Sequence, residues 1–300
     1  MLGERALRSA AAEAVPQSEI IIVDDASEPP FQIPADLRTN ESIKLVRHPD
    51  NRGASSARNT GVASAGADWI AFLDSDDYWL PATLAPRLEI AEAGFAIDRN
   101  PLVVHAAGFI LESSITKRLE TRIPRESADP LDFASGCWFA PGSTLLVRRE
   151  AFDSVGPYDV GLRRLEDLDW FLRLALGGGA LKVWEKPAAV IGFESHFAEV
   201  LLTRAVAHLS RKYLTEQGRD HLSGKLARRF RAYMDIERAA CCSNQKRWFG
   251  VLFYLGRSFF EVPRTTLHLE AFWRFEAPPI DMEPAGGVGV RVERDSPASS

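Results

Sequence analysis

The chain has 300 residues, 46% of them hydrophobic, and a formal net charge of -5. That length allows one large or two small domains with a substantial core, and the acidic balance speaks against a general nucleic-acid binder, which carries a basic excess. Three cysteines, two of them adjacent, supply neither a disulfide framework nor zinc spacing and point to a reducing compartment.

In chain order, residues 4–15 are alanine-rich and place Leu2, Ala6, Leu7, Ala10 and Ala14 on one helix face, ended by Pro16. Glu19-Ile-Ile-Ile-Val-Asp-Asp-Ala-Ser27 reads as a strand buried on both faces, typical of a parallel sheet. It ends in Asp24 and Asp25, where open α/β sheets bind ligands; a plain Asp-Ala-Ser turn is the other reading. A Pro-rich loop over 28–42 precedes a short strand at Ile43–Arg47. Asn51-Arg-Gly-Ala-Ser-Ser-Ala-Arg-Asn-Thr-Gly61 then opens a helix of small residues carrying Arg58, a candidate for holding a phosphate or pairing with a strand-end aspartate.

The run Trp69-Ile-Ala-Phe-Leu-Asp-Ser-Asp-Asp-Tyr78 organises the rest. An apolar strand stops in Asp74, Asp76 and Asp77. Carboxylates this close repel and are costly to desolvate together. They make sense facing a cleft and sharing a hard cation, Mg²⁺ or Mn²⁺; an acidic turn ahead of the next helix is the alternative. Helix, strand, loop, strand, helix, strand with short connections predicts a parallel α/β arrangement with both acidic strand ends on one rim.

Further on, the pattern predicts a helix over 82–94, a strand over Leu102–Leu111, an exposed polar excursion over 112–130, a strand at Leu145–Arg149 and a short helix at Glu150–Val155. In Arg163-Arg-Leu-Glu-Asp-Leu-Asp-Trp-Phe-Leu-Arg-Leu-Ala175, an apolar face is formed by Leu165, Leu168, Leu172 and Ala175. Glu166, Asp169 and Arg173 fall together as an ion-pair set, and acids in the first turn suit the helix dipole. The functional alternative is a carboxylate that deprotonates an acceptor hydroxyl. A strand at Leu181–Pro187, a short apolar piece at Ala188–Phe193 and a helix from Phe197 to Leu214 follow. Trp248–Phe260 is apolar on most sides and too short to span a bilayer, so it is a buried helix or a membrane-interfacial or partner-binding one. Residues 277–300, rich in Pro, Gly, Ser and charge, predict a disordered tail. Without an apolar membrane span or a signal-peptide core, the expected location is the cytoplasm.

Taken together, Glu19–Ser27, Asn51–Gly61, Ile70–Asp77 and Glu166–Arg173 resemble the inverting family 2 glycosyltransferases, in that family's order and approximate spacing. The resemblance implies an α/β fold of the GT-A type with a mostly parallel sheet, a nucleotide-sugar and catalytic domain over 1–196 and a helical region over 197–276. It places Asp25 near the nucleotide base, and Arg58 near the base or phosphates. Asp74 falls towards the ribose and Asp76 towards the metal, Mn²⁺ or Mg²⁺. It makes Asp167 the general base, with Glu166 beside it and His196 a further diphosphate or metal contact. The implied partners are a nucleotide-sugar donor, UDP-linked, and a glycan or lipid-linked acceptor; the expectation of peripheral membrane contact through 248–260 comes instead from that helix and the nearby Lys246, Arg247, Arg257 and Arg264. The resemblance departs at the start. Relatives carry a strand of the type Val-Ser-Val-Val-Ile-Pro-Thr-Tyr-Asn before the first helix, and this sequence begins inside that helix. A non-catalytic relative that at most binds nucleotide-sugar is therefore the competing expectation. A nucleotidyltransferase would show a glycine-rich phosphate loop near the N-terminus, and none is seen.

Overall fold

The structure, a computed structural model, describes residues 2–113, 119–139, 142–193, 199–215, 221–263 and 273–276. His196 and the predicted tail over 277–300 lie outside the described residues.

Helix α1 (Leu2–Glu13) buries Ala6, Leu7 and Ala10 on one face and pairs Arg8 with Glu4 and Asp36 on the other. Its last residue reaches the start of α3 (Leu84–Asp98). The Glu13 carboxylate accepts the backbone N–H groups of Ala82, Thr83 and Leu84 at 2.6, 2.7 and 2.9 Å. These are donors that a helix N-terminus otherwise leaves unsatisfied.

Strand β1 (Ile20–Asp24) pairs in parallel with β2 (Ile43–Arg47) as a two-stranded sheet. Burial on both faces was expected of β1, yet Ile20 to Val23 stay partly exposed, because just one strand pairs with it among the described residues. Helix α2 (Ala54–Ser64) packs against β1, with Gly61 close to Val23.

The larger sheet holds seven described strands. In order along its main path they are β3 (Trp69–Ala71), β7 (Leu146–Arg148), β5 (Val103–Ser113), β6 (Leu119–Pro124) and β9 (Trp273–Glu276). Strand β8 (Ala180–Phe193) lies on the other side of β5 and also pairs with β4 (Tyr78–Trp79). The GT-A-like α/β class is met, but a mostly parallel sheet is not. In the seven-stranded sheet β5 and β8 run parallel, and the other pairs are antiparallel. An apolar strand reads the same in either direction, so the direction follows from connections that the strand itself does not encode. The polar stretch at 112–130 likewise contains a strand, β6, whose Ile123 is buried. The two apolar pieces at 181–193 are one strand, β8, carried through Pro187 with a register shift opposite Gly108.

Beneath the sheet, short α4 (Pro130–Phe133), α5 (Arg149–Val155) and α6 (Glu166–Leu176) close an aromatic core in which the Phe139 and Phe171 rings stack at 4.1 Å. Three helices follow, α7 (Glu199–Leu214), α8 (Gly224–Asn244) and α9 (Trp248–Glu261), forming the helical C-terminal extension. No helix among the described residues is long and apolar enough to cross a membrane.

Candidate active site

The site assembles around Arg58, one turn into α2. Its side chain is 11% exposed, and its donors are aimed at carboxylates from two distant segments. Nη2 donates to both oxygens of Asp74 at 3.1 Å, and Nη1 donates to Asp167 Oδ1 at 3.1 Å. Glu166 Oε1 lies 3.5 Å from Nη1, and the guanidinium stands 5.5 Å from the Tyr158 ring centroid. The Arg58 Nε is buried without a hydrogen-bond partner. Burial opposes the charge on Arg58, but Asp74 and Asp167 outweigh it and hold the guanidinium firmly protonated.

Asp74 follows β3 where the strand leaves the sheet. Its backbone N–H donates to Ser143 Oγ at 2.9 Å. Ser143, in the 3-10 turn Gly142–Thr144, in turn donates to Asp77 Oδ2 at 2.5 Å, and Gly192 N–H of β8 donates to Asp77 Oδ1 at 3.0 Å. Asp77 is therefore the buried anchor of the acidic loop. Burial pushes its carboxyl up to about 7; the Ser143 bond works against this, and the charges of Asp74 and Asp76 add to it. Asp76 is exposed, and its carbonyl accepts from Arg5 Nη2 at 3.2 Å.

Asp167 and Glu166 occupy the first turn of α6, which leaves the left-handed residue Leu165. Burial raises both carboxyls, Glu166 to about 7. Asp167 adds to the Glu166 shift, and Arg58 opposes both. The ion-pair set expected on α6 is divided: Glu166 turns to Arg58, while Asp169 is fully buried and takes Arg173, with Lys212 Nζ at 2.6 Å. Helix α6 is wrapped on nearly all sides, so its polar residues each find a partner from a different element.

Asp25 is held apart from the Arg58 cluster. Its carboxylate accepts the Arg52 N–H at 2.9 and 3.0 Å and the Gly53 N–H at 2.6 Å, and His48 Nδ1 lies 2.6 Å away. Burial opposes its charge, yet these donors keep it below its ordinary value. Gly53 makes the loop possible: its φ is +88°, and a Cβ there would stand 2.8 Å from Arg163 Cδ. The neighbouring Asp24 is held at about 2, burial being overcome by Ser27, the Phe31 N–H and Arg47.

Among the described residues, no three His, Cys, Asp or Glu side chains converge on one point as a metal cage. The donor chemistry nevertheless suits a hard divalent ion, because Asp74 and Asp76 offer oxygens at the rim and Mg²⁺ keeps waters and phosphate oxygens in its remaining positions. Burial is the main cause of the raised Asp77 carboxyl, and the charges of Asp74 and Asp76 that add to it are ones such an ion would offset. Of the predicted site residues, the structure brings Arg58, Asp74 and Asp167 together, keeps Asp76 on the same loop and places Asp25 at the neighbouring strand end. Ser143 and His48 were not singled out in the sequence, since a serine in a Gly/Pro loop and a histidine after a strand carry no pattern of their own. Tyr158 was not singled out there either.

The family model described as Glycosyl transferase family 2 matches residues 4–156. The chain belongs to glycosyl transferase family 2. The family match ends before the acid pair of α6. The chain is 28% identical over 161 residues to an uncharacterized glycosyltransferase of Haemophilus influenzae, which covers 52% of this chain and 51% of that protein. It is 28% identical over 192 residues to the pre-mycofactocin glycosyltransferase of Mycobacterium tuberculosis, covering 58% of this chain and 37% of that one. With the succinoglycan biosynthesis protein ExoO of Rhizobium meliloti it shares 29% identity over 209 residues, 67% of this chain and 59% of that one. The chain thus spans about half the length of the curated relatives it matches. The crystal structure of S. aureus TarS 1-349 superposes with a TM-score of 0.54 at 18% identity, over 90% of this chain and 79% of that chain. That likeness places the family 2 chain in the GT-A fold.

Proposed function

We propose that the chain moves one sugar from a nucleotide-sugar, UDP-linked, to an acceptor hydroxyl with inversion. The observation that carries this reading is the shared guanidinium: Arg58 binds both Asp74, on the acidic loop, and Asp167, at the start of α6. A donor-side carboxylate and a base are thereby brought to one point from opposite parts of the sequence. Support for the donor comes from TarS of S. aureus, whose structures include complexes with UDP and UDP-GlcNAc. Relatives named for succinoglycan and amylovoran biosynthesis support a glycan or lipid-linked acceptor. On this reading the reaction runs in the cytoplasm, at the inner face of a membrane where the acceptor is lipid-linked.

Asp167 accepts the proton of the acceptor hydroxyl, which attacks the anomeric carbon from the face opposite the departing diphosphate. Burial raises its proton affinity above that of an ordinary carboxylate, which favours accepting a proton. Asp25 lies at the base end of the donor, fixed by the Arg52 and Gly53 amides. Asp74 and Asp76 would hold Mn²⁺ or Mg²⁺, which supplies Lewis-acid stabilisation of the leaving diphosphate when bound.

The test is a panel of nucleotide-sugars with Mn²⁺, comparing wild type and Asp167→Asn for transfer and donor hydrolysis. Loss of roughly 10²- to 10⁴-fold is expected, with the product anomer inverted by NMR. Equal rates would remove Asp167 from its role. Calorimetry with UDP and Mn²⁺ separates the competing case, in which the chain binds without turnover.

A further inference from the structure

Helix α9 rests on α8 through one side and leaves the other uncovered. Ser258 is buried in the contact, and Val251, Tyr254 and Leu255 are partly so. At Gly250 the helices approach so closely that a Cβ would meet Cys242 Sγ at 2.7 Å. Arg257 with Asp235, and Arg231 with Glu261, lock the pair at 3.3 and 2.8 Å. The outer stripe carries Trp248, Phe249, Leu252, Phe253, Phe259 and Phe260, with Phe249 92%, Phe260 82% and Leu252 70% exposed. The sequence alone left open whether this helix is buried; the structure shows an apolar face turned outward. Soluble surfaces rarely leave so many large apolar side chains contiguous and unpaired with a partner.

The charges around this stripe are mostly positive, although Glu261 pairs with Arg228 and Arg231, and Asp235 with Arg238 and Arg257. Between Gly224 and Glu261 there are eight Lys and Arg against three Asp and Glu, in a chain whose net charge is -5. Lys246 and Arg247 stand exposed at the start of α9. Near its end, Lys225, Arg228 and Arg229 line a cleft of about 320 Å³ together with Glu261, Leu131, Val262 and Pro263, three cations against one acid. The apolar stripe is bracketed by cationic groups at both ends, and one cluster surrounds a cleft with apolar walls.

We propose that the outer face of α9 and the cationic cleft beside it dock on the surface of an anionic lipid bilayer. A 14-residue helix is about 21 Å long, too short to span a membrane, so it lies in the interface with its apolar side down. Trp and Phe suit that depth, and the flanking Lys and Arg meet anionic headgroups. A second copy of this chain fits less well, since pairing two such faces brings their cationic rims together. The surface shares no residue with Arg58, Asp74, Asp76 or Asp167, so docking stands or falls independently of the transfer reaction.

The experiment is flotation of the full chain with vesicles of phosphatidylcholine alone or mixed with phosphatidylglycerol, at low and high salt. Wild type is expected to float with the anionic vesicles, and salt to weaken this. The triple variant Phe249→Ser, Leu252→Ser, Phe260→Ser is expected to lose binding by roughly tenfold or more. Lys225→Glu with Lys246→Glu should lower binding to anionic vesicles alone. All substituted side chains are exposed, and circular dichroism verifies that each variant is folded. No binding by wild type, equal binding to both vesicle types, or full binding by the triple variant overturns the proposal. So does light scattering that shows a dimer which the triple variant dissolves while vesicle binding is unchanged; the face then belongs to a second copy.

Discussion

Arg58 Nη1 and Asp167 Oδ1 meet at 3.1 Å across 109 positions of sequence, and the same guanidinium holds Asp74. The proposed base therefore carries a built-in cation that lowers its proton affinity against the effect of burial. Removing the cation in Arg58→Gln is expected to raise the Asp167 pKa further and move the acidic limb of kcat/KM to higher pH. Arg58→Lys keeps the charge but loses the fork, so its shift should be smaller. The Gln variant also leaves buried carboxylates uncompensated, at about 3–5 kcal/mol of stability. A pH–rate profile whose acidic limb does not move in Arg58→Gln would break the link between these two residues.

Asp77 controls the acidic loop from beneath. Its two oxygens each receive a donor, Gly192 N–H and the Ser143 hydroxyl, and that serine receives the Asp74 N–H. An Asn at 77 has one acceptor oxygen, so one donor is left facing an NH₂ group. Asp77→Asn is expected to cost about 1–3 kcal/mol and to weaken UDP–Mn²⁺ binding by displacing Asp74. Ser143→Ala, which spares the Gly192 bond, should cost about 1 kcal/mol. Thermal unfolding and calorimetry measure both effects; wild-type affinity in Asp77→Asn would show that the loop is held by other means.

Much of the site was legible because acids at the ends of apolar strands are conspicuous against their background. Asp25, Asp74 and Asp76 stood out in this way, whereas Asp167, in the first turn of a helix, was marked by the family resemblance. What could not be read was how they join. The Arg58 bridge depends on α6 returning to α2, and the Asp77 anchor depends on Ser143 and Gly192 from two further segments. Strand direction was hidden for the same reason, since β7 and β8 owe their orientation to long connections. Strand β6 was hidden by its own composition: Leu119-Glu-Thr-Arg-Ile-Pro124 is half polar or charged, although Thr121, Ile123 and Pro124 are buried. Helix α9 is apolar on most sides, so periodicity could not say which side, if any, faces water.

The buried carboxyls set the pH dependence of stability. Asp77 and Glu166 are raised to about 7 from 3.8 and 4.5, so the folded chain binds more protons there than the unfolded chain. Their contribution is complete below the unfolded values and is lost as pH rises to about 7. Asp24 has the opposite sign: held at about 2 from 3.8, it stabilises above the unfolded value and loses this as pH falls. Stability is therefore expected to be highest near pH 4–5 and to decline towards pH 8 by an amount on the order of several kcal/mol, with Tm following. Asp77→Asn should flatten that decline. A Tm that rises steadily from pH 5 to 8 would contradict these assignments.

Asp169 and Asp167 lie two positions apart on α6 and should respond oppositely to substitution. Asp169 is fully buried and accepts from Arg173 Nε at 3.0 Å, Lys212 Nζ at 2.6 Å and the Tyr213 hydroxyl at 2.8 Å. Lys212 and Tyr213 belong to α7, so this carboxylate ties the helix bearing the proposed base to the C-terminal extension. Asp169→Ala strands two cations and is expected to cost about 3–5 kcal/mol. Lys212→Met should cost less, since Arg173 and Tyr213 still satisfy the carboxylate. Asp167→Asn removes a half-buried charge crowded by Asp74, so stability should hold or rise while turnover falls. Urea unfolding paired with initial rates per folded molecule separates the two roles. If Asp169→Ala proved as stable as wild type, or if Asp167→Asn lost stability and kept its rate, the division of labour on α6 would be reversed.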